Sequence, residues 1–199
     1  MGNAVLEMSV SVDGYVAGLD DGPDNPGGGV VERLHAWAFD EDFRWFRTEG
    51  VQGEMMRQVL EVGAVVVGRR TAEQVDHWGG AHPGGVDGSR RLPVFVPSHR
   101  PPGPTVADYP LVTYVPDIET AVARAKEAAG ERDVHVIGAV TGQTGLAAGV
   151  IDILQLHYVP VLVGGGRRLF DVLPSHVELE ILRVVDTPEV THVRYAVRR

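Results

Sequence analysis

Ala64-Val65-Val66-Val67 is apolar at four consecutive positions and is bounded by Gly63 and Gly68. A strand with one face in water would alternate, so a run apolar on both alternations predicts a strand covered on both sides. Val134-His135-Val136-Ile137, closed by Gly138, reads as another buried strand despite its histidine. Strands of this kind belong to α/β sheets whose two faces carry helices. Valine supplies 34 of the 199 residues, about one in six, and a β-branched residue used so heavily places much of the core in sheet.

The remaining segments fill in that frame. Ala4 to Val12 reads as a first strand ended by Asp13-Gly14, followed by a glycine- and aspartate-rich loop over 20–29. Leu34, Trp37, Ala38, Glu41 and Trp45 mark one helical face, and Met55, Met56, Val59 and Leu60 mark another that stops at Gly63. A short helix is expected from Thr71, and short strands at 93–96 and 111–115. Asp117 caps a helix over 118–129, with Ile118, Val122, Ala125 and Ala129 as its apolar stripe and Gly130 as its stop. A loop and short helix over 138–149 lead to a long strand over 150–163, interrupted by Pro160. Residues 178–185 and 190–197 alternate around Asp186-Thr187-Pro188-Glu189 and predict a terminal β-hairpin. No internal repeat or linker appears, so residues 1–199 are expected to form a single domain with a mostly parallel mixed sheet.

Charge and composition remove several classes of function. Lys and Arg total 18 against 27 Asp and Glu, a formal net charge of −9, and Lys126 is the single lysine. A chain this acidic is a poor partner for a nucleic-acid backbone. The absence of cysteine excludes disulfides, thiolate metal sites and a thiol nucleophile, and fits a cytoplasmic protein. No apolar run is long enough to span a membrane, and no secretory leader is apparent. Among the histidines, His77 and His82 are five apart, while His35, His99, His135 and His157 are scattered; no metal-ligand spacing results. Ser9, Ser11 and Ser98 lack the Gly-x-Ser-x-Gly setting of a hydrolase nucleophile.

Ligands of open α/β sheets bind beyond the carboxyl ends of the strands. The residues there are Asp13-Gly14-Tyr15-Val16-Ala17-Gly18, Gly68-Arg69-Arg70-Thr71 and Gly138-Ala139-Val140-Thr141-Gly142. Two of these are strand-to-helix turns, where unpaired N–H groups and the helix dipole favour an anion. The guanidinium groups of Arg69 and Arg70 add to one, and the hydroxyls of Thr71 and Thr141 can donate as well. Two phosphate-like turns on neighbouring loops suggest a dinucleotide, although tight turns and solvated arginines would look alike in sequence. Gly164-Gly165-Gly166-Arg167-Arg168 lacks the ending of a P-loop, and no Gly-x-Gly-x-x-Gly follows the first strand.

Met8 to Gly18, Val66 to Thr71, Ala148 to Asp152 and Val159 to Phe170 together resemble the dihydrofolate reductase-like family typified by the C-terminal reductase domain of the riboflavin-biosynthesis protein RibD. The resemblance runs from about residue 4 to residue 197. It implies a dihydrofolate reductase-like fold of about eight strands flanked by helices, NADPH as hydride donor and a homodimer acting on a small-molecule substrate. Gly68, Arg69, Arg70 and Thr71 would hold the adenosine-side phosphates. Gly138, Ala139, Val140, Thr141 and Gly142 would lie under the pyrophosphate, and Val16 and Ala17 against the nicotinamide. Asp13 would be the catalytic group, orienting substrate or relaying a proton through water.

The chain reads Gly138-Ala139 where the family often has Gly-Gly, and Ile151-Asp152-Ile153 where riboflavin-pathway reductases read Val-Asp-Glu. The expected activity is therefore reduction of a C=N or C=O bond, similar to 5-amino-6-(5-phosphoribosylamino)uracil reductase, on a substrate that loops 19–33 and 76–92 would shape. A ligand-binding protein without turnover is the rival. Dihydrofolate reduction is a third possibility, with Glu32, Glu41 and Asp42 as the available acids. Trp78 is a candidate pocket wall or core residue.

Overall fold

The computed structural model describes residues 1–22, 24–40, 46–73, 92–104, 110–171 and 173–198. Along the chain run β1 (Ala4–Ser11), β2 (Tyr15–Ala17), α1 (Val31–His35), α2 (Gly50–Leu60), β3 (Ala64–Val67), α3 (Arg69–Glu73), β4 (Val94–Pro97) and β5 (Val112–Val115). They continue as α4 (Ile118–Ala129), β6 (Val134–Ile137), α5 (Ala139–Ala147), β7 (Ile153–Val159), β8 (Arg167–Arg168), β9 (Leu179–Asp186) and β10 (Thr191–Val197). Eight strands form one sheet in the order β5-β4-β3-β6-β1-β7-β10-β9. Pairing is parallel from β5 to β7, and the β9–β10 hairpin adds two antiparallel strands at the edge. This is the expected mostly parallel mixed sheet flanked by helices.

β1 lies between β6 and β7, and its side chains divide between the two faces. Leu6 and Val10 join Ile118, Ala121, Val122 and Ala125 of α4 and Leu146 of α5 in one core. Leu34, Trp37, Met55, Met56 and Val59 pack with Val159 and Val190 in another. α4 forms as its sequence demands: the Asp117 carboxylate accepts from the Thr120 N–H at 2.7 Å, and Gly130 closes the helix at φ +65°.

Several elements depart from expectation. Among the described residues of the helical face drawn from Leu34 onward, the helix is α1, which ends at His35. Trp37 and Ala38 are buried in a turn, and the chain then folds back so that Arg47 N–H reaches the Ala38 carbonyl. Trp37 is drawn onto the sheet by donating its indole N–H to Ser9 Oγ at 2.9 Å. Glu41, Asp42 and Trp45 lie outside the described residues, as do Trp78, His77 and His82. α3 begins at Arg69 rather than Thr71. The long strand over 150–163 is β7 alone, stopped at Pro160, which has no N–H for the ladder.

The face of β1 turned toward Trp37 carries a buried polar seam. Strand register brings Ser9, His157 and His192 into one row and Glu7, Gln155 and Arg194 into the next. His157 Nε2 lies 3.0 Å from Glu7 Oε1, and His157 Nδ1 lies 2.6 Å from His192 Nδ1. With Glu7 as the carboxylate, His157 donates through Nε2 and accepts from His192 at Nδ1. Trp37 covers both rings, with centroids 4.3 and 4.8 Å away. Near the amino ends of the strands this face opens into a groove of about 750 Å³ lined by Glu7, Glu61, Arg132, Gln155 and Arg194.

Burial holds the imidazoles neutral, with His157 at about 3 and His192 at about 4 against an ordinary 6.5. Folded values below the unfolded one mean that their stabilising contribution is complete above pH 6.5 and declines as pH falls toward 4. Burial raises the Glu7 pKa, and its proton uptake opposes that trend. Comparison with His192→Gln isolates the histidine. The variant should be less stable at pH 7, and the gap in urea unfolding should narrow as pH falls through 6.5; a gap constant with pH would contradict the neutral assignment.

Candidate functional site

The carboxyl ends of β3 and β6 are adjacent because Val67 and Ile137 are register partners in parallel strands. The next residue of each is a glycine that turns into a helix, Gly68 before α3 and Gly138 before α5. Gly138 adopts φ +103°, a conformation that L side chains rarely take, and its N–H points at Met8 Sδ, 3.3 Å away. A Cβ on Gly68 would stand 2.8 Å from Thr141 Oγ1, and one on Gly138 would stand 3.5 Å from it. The buried hydroxyl of Thr141 thus lies between two bare turns.

Beyond Gly138, α5 runs for nine residues, and its first-turn N–H groups at Ala139, Val140 and Thr141 have no carbonyl a turn behind them. The side chains of this turn point different ways. Val140 is exposed, whereas the Ala139 methyl packs into the hydrophobic core. The extra carbon relative to Gly-Gly is therefore directed away from the open side of the turn. Gly142 backs onto Leu6, where a Cβ would come within 2.6 Å of Cδ2.

The arginines of the first turn are already engaged. Arg69 Nε donates to Glu73 Oε1 at 2.6 Å, one helical turn on. Arg70 Nη1 donates to Asp21 Oδ2 at 2.9 Å, and Arg167 Nη2 lies 3.4 Å from the same oxygen. Asp21 Oδ1 accepts the Gly27 N–H at 3.0 Å. Asp21 stood out in sequence only as part of a turn-forming run, because its partners come from α3 and β8. Thr71 sits half-buried in α3 beside them.

Asp13 is anchored across the sheet end. One oxygen accepts from Ser11 Oγ at 2.6 Å and from the Val163 N–H at 3.1 Å, and the other from the Gly164 N–H at 2.7 Å. The Ser11 hydroxyl and these amides lower its pKa from 3.8 to about 2. Val16 and Ala17, expected as loop, lie in β2, which pairs with β8. Two strands of three and two residues are too short to give an alternation pattern. Arg168 lies over the Tyr15 ring at 4.7 Å. Gly166 permits this pairing, since a Cβ there would stand 2.1 Å from the Ala17 carbonyl oxygen.

Other singled-out residues lie elsewhere. Ile153 starts β7 beside Val5, at the end of the sheet opposite the glycine turns, so its apolar side chain bears on packing there. Its neighbour Asp152 clamps the same end, accepting from Ala4 N–H at 2.8 Å and Lys126 Nζ at 2.5 Å. Glu32 is exposed on α1. Most of the 76–92 loop is outside the described residues. Among the described residues no group of acids and histidines is arranged to hold a metal ion, and no helix is long and apolar enough to cross a membrane.

A folded pKa below the unfolded one makes the Asp13 contribution complete above pH 3.8 and lost as pH falls through about 2. Asp13→Asn should reduce stability at pH 5, and its deficit should shrink across that acid window in urea unfolding. A deficit independent of pH would place the stabilisation elsewhere.

The family described as RibD C-terminal domain matches residues 4–193. A search of curated proteins returned no match. Among solved structures, a Shewanella sp. PV-4 protein assigned provisionally to riboflavin biosynthesis is 23% identical, covers 99% of each chain and superposes with a TM-score of 0.72. A pyrimidine reductase-like protein of Corynebacterium diphtheriae is 15% identical, with 99% of this chain and 92% of that chain covered and a TM-score of 0.63. A Thermotoga maritima diaminohydroxyphosphoribosylaminopyrimidine deaminase/5-amino-6-(5-phosphoribosylamino)uracil reductase is 13% identical, with a TM-score of 0.59; 99% of this chain covers 57% of that one. The likenesses carry the fold, and the match over residues 4–193 carries the family: this chain belongs to the RibD C-terminal domain family.

Proposed function

We propose that this protein is an NADPH-dependent reductase of the cytoplasm that reduces a C=N or C=O bond in a small heterocyclic substrate. The observation that carries it is the pair of bare glycine turns at Gly68 and Gly138, side by side at the carboxyl ends of β3 and β6 in a reductase-family fold. The cradle fits a dinucleotide: backbone can approach closely at both turns, and fixed N–H donors and a hydroxyl converge there. The nicotinamide would supply hydride to the substrate carbon.

The protein's own groups hold and orient. The first turn of α5 and Gly68 would bind the pyrophosphate, Arg69, Arg70 and Thr71 the adenosine-side phosphate, and Val16 and Ala17 would flank the nicotinamide. Asp13, with a pKa of about 2, is ionised at neutral pH. It has no proton to give, so its role is to fix the β1 end and orient polar substrate groups, while water supplies the proton that completes reduction.

Equilibrium titration with NADPH and NADH tests the assignment, and no binding of either at millimolar cofactor would sink it. Gly138→Ala forces a side chain into φ +103° at the turn. It should weaken NADPH binding about tenfold or more while the chain stays folded by circular dichroism. Wild-type affinity in that variant would remove the turn from the site.

We also propose that two copies pair through β9. It is the sheet's edge strand, and Leu179, Ile181, Leu182 and Val184 are 39–63% exposed on it. Exposed apolar residues on an unpaired edge are an association surface. Light scattering should give twice the 21.5 kDa chain mass, and Ile181→Arg should give the monomer. A wild-type monomer at micromolar concentration would exclude this dimer.

A further inference from the structure

We propose, resting on the cofactor assignment above, that Asp21 is a built-in competitor for the cofactor's phosphate and sets the preference between NADPH and NADH. Its carboxylate holds Arg70 and Arg167 at 2.9 and 3.4 Å, and a phosphate entering from the open side takes these guanidinium groups over.

The geometry has three parts. First, Asp21 is the sheltered member of the cluster, its side chain 11% exposed against 49% for Arg70 and 40% for Arg167. A guanidinium has five N–H donors, and one or two bonds to Asp21 leave the others directed at solvent, where an anion can reach them. Second, the arginines belong to separate elements. Arg70 is on α3, directly after the Gly68 turn, and Arg167 is on β8, paired with Ala17. Asp21 therefore bridges the phosphate side of the candidate site to the strand expected along the nicotinamide. Third, the loop is pinned at its base and held at its tip. Gly18 N–H donates to the Gly27 carbonyl at 3.0 Å, and the Gly18 and Gly28 backbones touch, since a Cβ on Gly18 would stand 2.3 Å from the Gly28 oxygen. A change at the Asp21 carboxylate therefore leaves the base of the loop in place.

The neighbouring charges define what an incoming phosphate meets. Arg69 is paired with Glu73 on its own helix rather than with Asp21. Arg70 and Arg167 share one carboxylate. NADPH carries a phosphate monoester that NADH lacks, so removal of the competing charge favours NADPH more than NADH.

Cofactor binding measured by nicotinamide fluorescence on wild type and Asp21→Asn tests this. The asparagine keeps an oxygen for the Gly27 N–H and deletes the charge. NADPH should bind about three- to tenfold tighter, NADH should change less, and added salt should narrow the difference. Asp21→Ser, which also keeps an acceptor, serves if the asparagine variant fails to fold. In a double-mutant cycle, Arg70→Gln should cost more NADPH affinity beside Asp21→Asn than in wild type, because only there is the guanidinium uncommitted. Wild-type binding that the variant leaves unchanged or weakens, or an equal shift for both cofactors, overturns the role of Asp21 and leaves the reductase assignment standing. Absence of binding in both proteins overturns the reductase assignment and this role together.

Discussion

β1 is hydrogen-bonded to β6 along one edge and to β7 along the other, so each of its side chains is committed to one face with no freedom to shift register. From that pairing follow the apolar core around Leu6, the polar seam from Glu7 to His192 and the position of Met8 against the Gly138 amide. It also delivers Asp13 to the sheet end, where the carboxylate meets the Val163 and Gly164 amides 150 or more residues away. A one-residue slip would exchange the seam with the apolar core and leave Glu7 facing α4, a cost no surface interaction could offset.

An acidic chain is an unlikely setting for a phosphorylated ligand if only net charge is counted. The sheet end shows how local geometry works against the average. Backbone donors at Gly68 and the first turn of α5 are neutral and permanently aimed, and each nearby arginine has a carboxylate that holds it in place. The arrangement is ordered before anything binds, and a phosphate held there as proposed would meet both the arginines and their carboxylates.

Much of the fold was legible because local chemistry and burial agreed. α4 had its cap, stripe and glycine stop within fourteen residues of sequence, β3 was an unbroken apolar run, and β6 was one interrupted only by His135. The helical reading from Leu34 onward failed at Trp37 and Ala38, because Trp37 is bonded to Ser9 on the sheet, a contact that periodicity cannot express. β2 and β8 gave no signal, being set by glycine contacts between distant segments. At the site, the turns at Gly68 and Gly138 were visible as motifs. Asp13 was singled out as the catalytic group, but its bonds to the distant Val163 and Gly164 amides had no sequence signal, while His157 looked scattered because only the register of β7 and β10 brings it to His192. Ala139 shows a further limit, since sequence showed a methyl group but not its direction.

The glycine contacts among Gly18, Gly28 and Gly166 carry a consequence for how such a protein can diversify. The base of the loop is set by main-chain atoms in contact, and apart from Asp21, which is tied to Gly27, Arg70 and Arg167, it has side chains that project outward; Leu19 is 82% exposed. Residues of that kind can be exchanged without disturbing the scaffold beneath them. A chain built on this frame can change what the loop presents to solvent through its outward residues alone, while the contacts at the loop's base stay as they are.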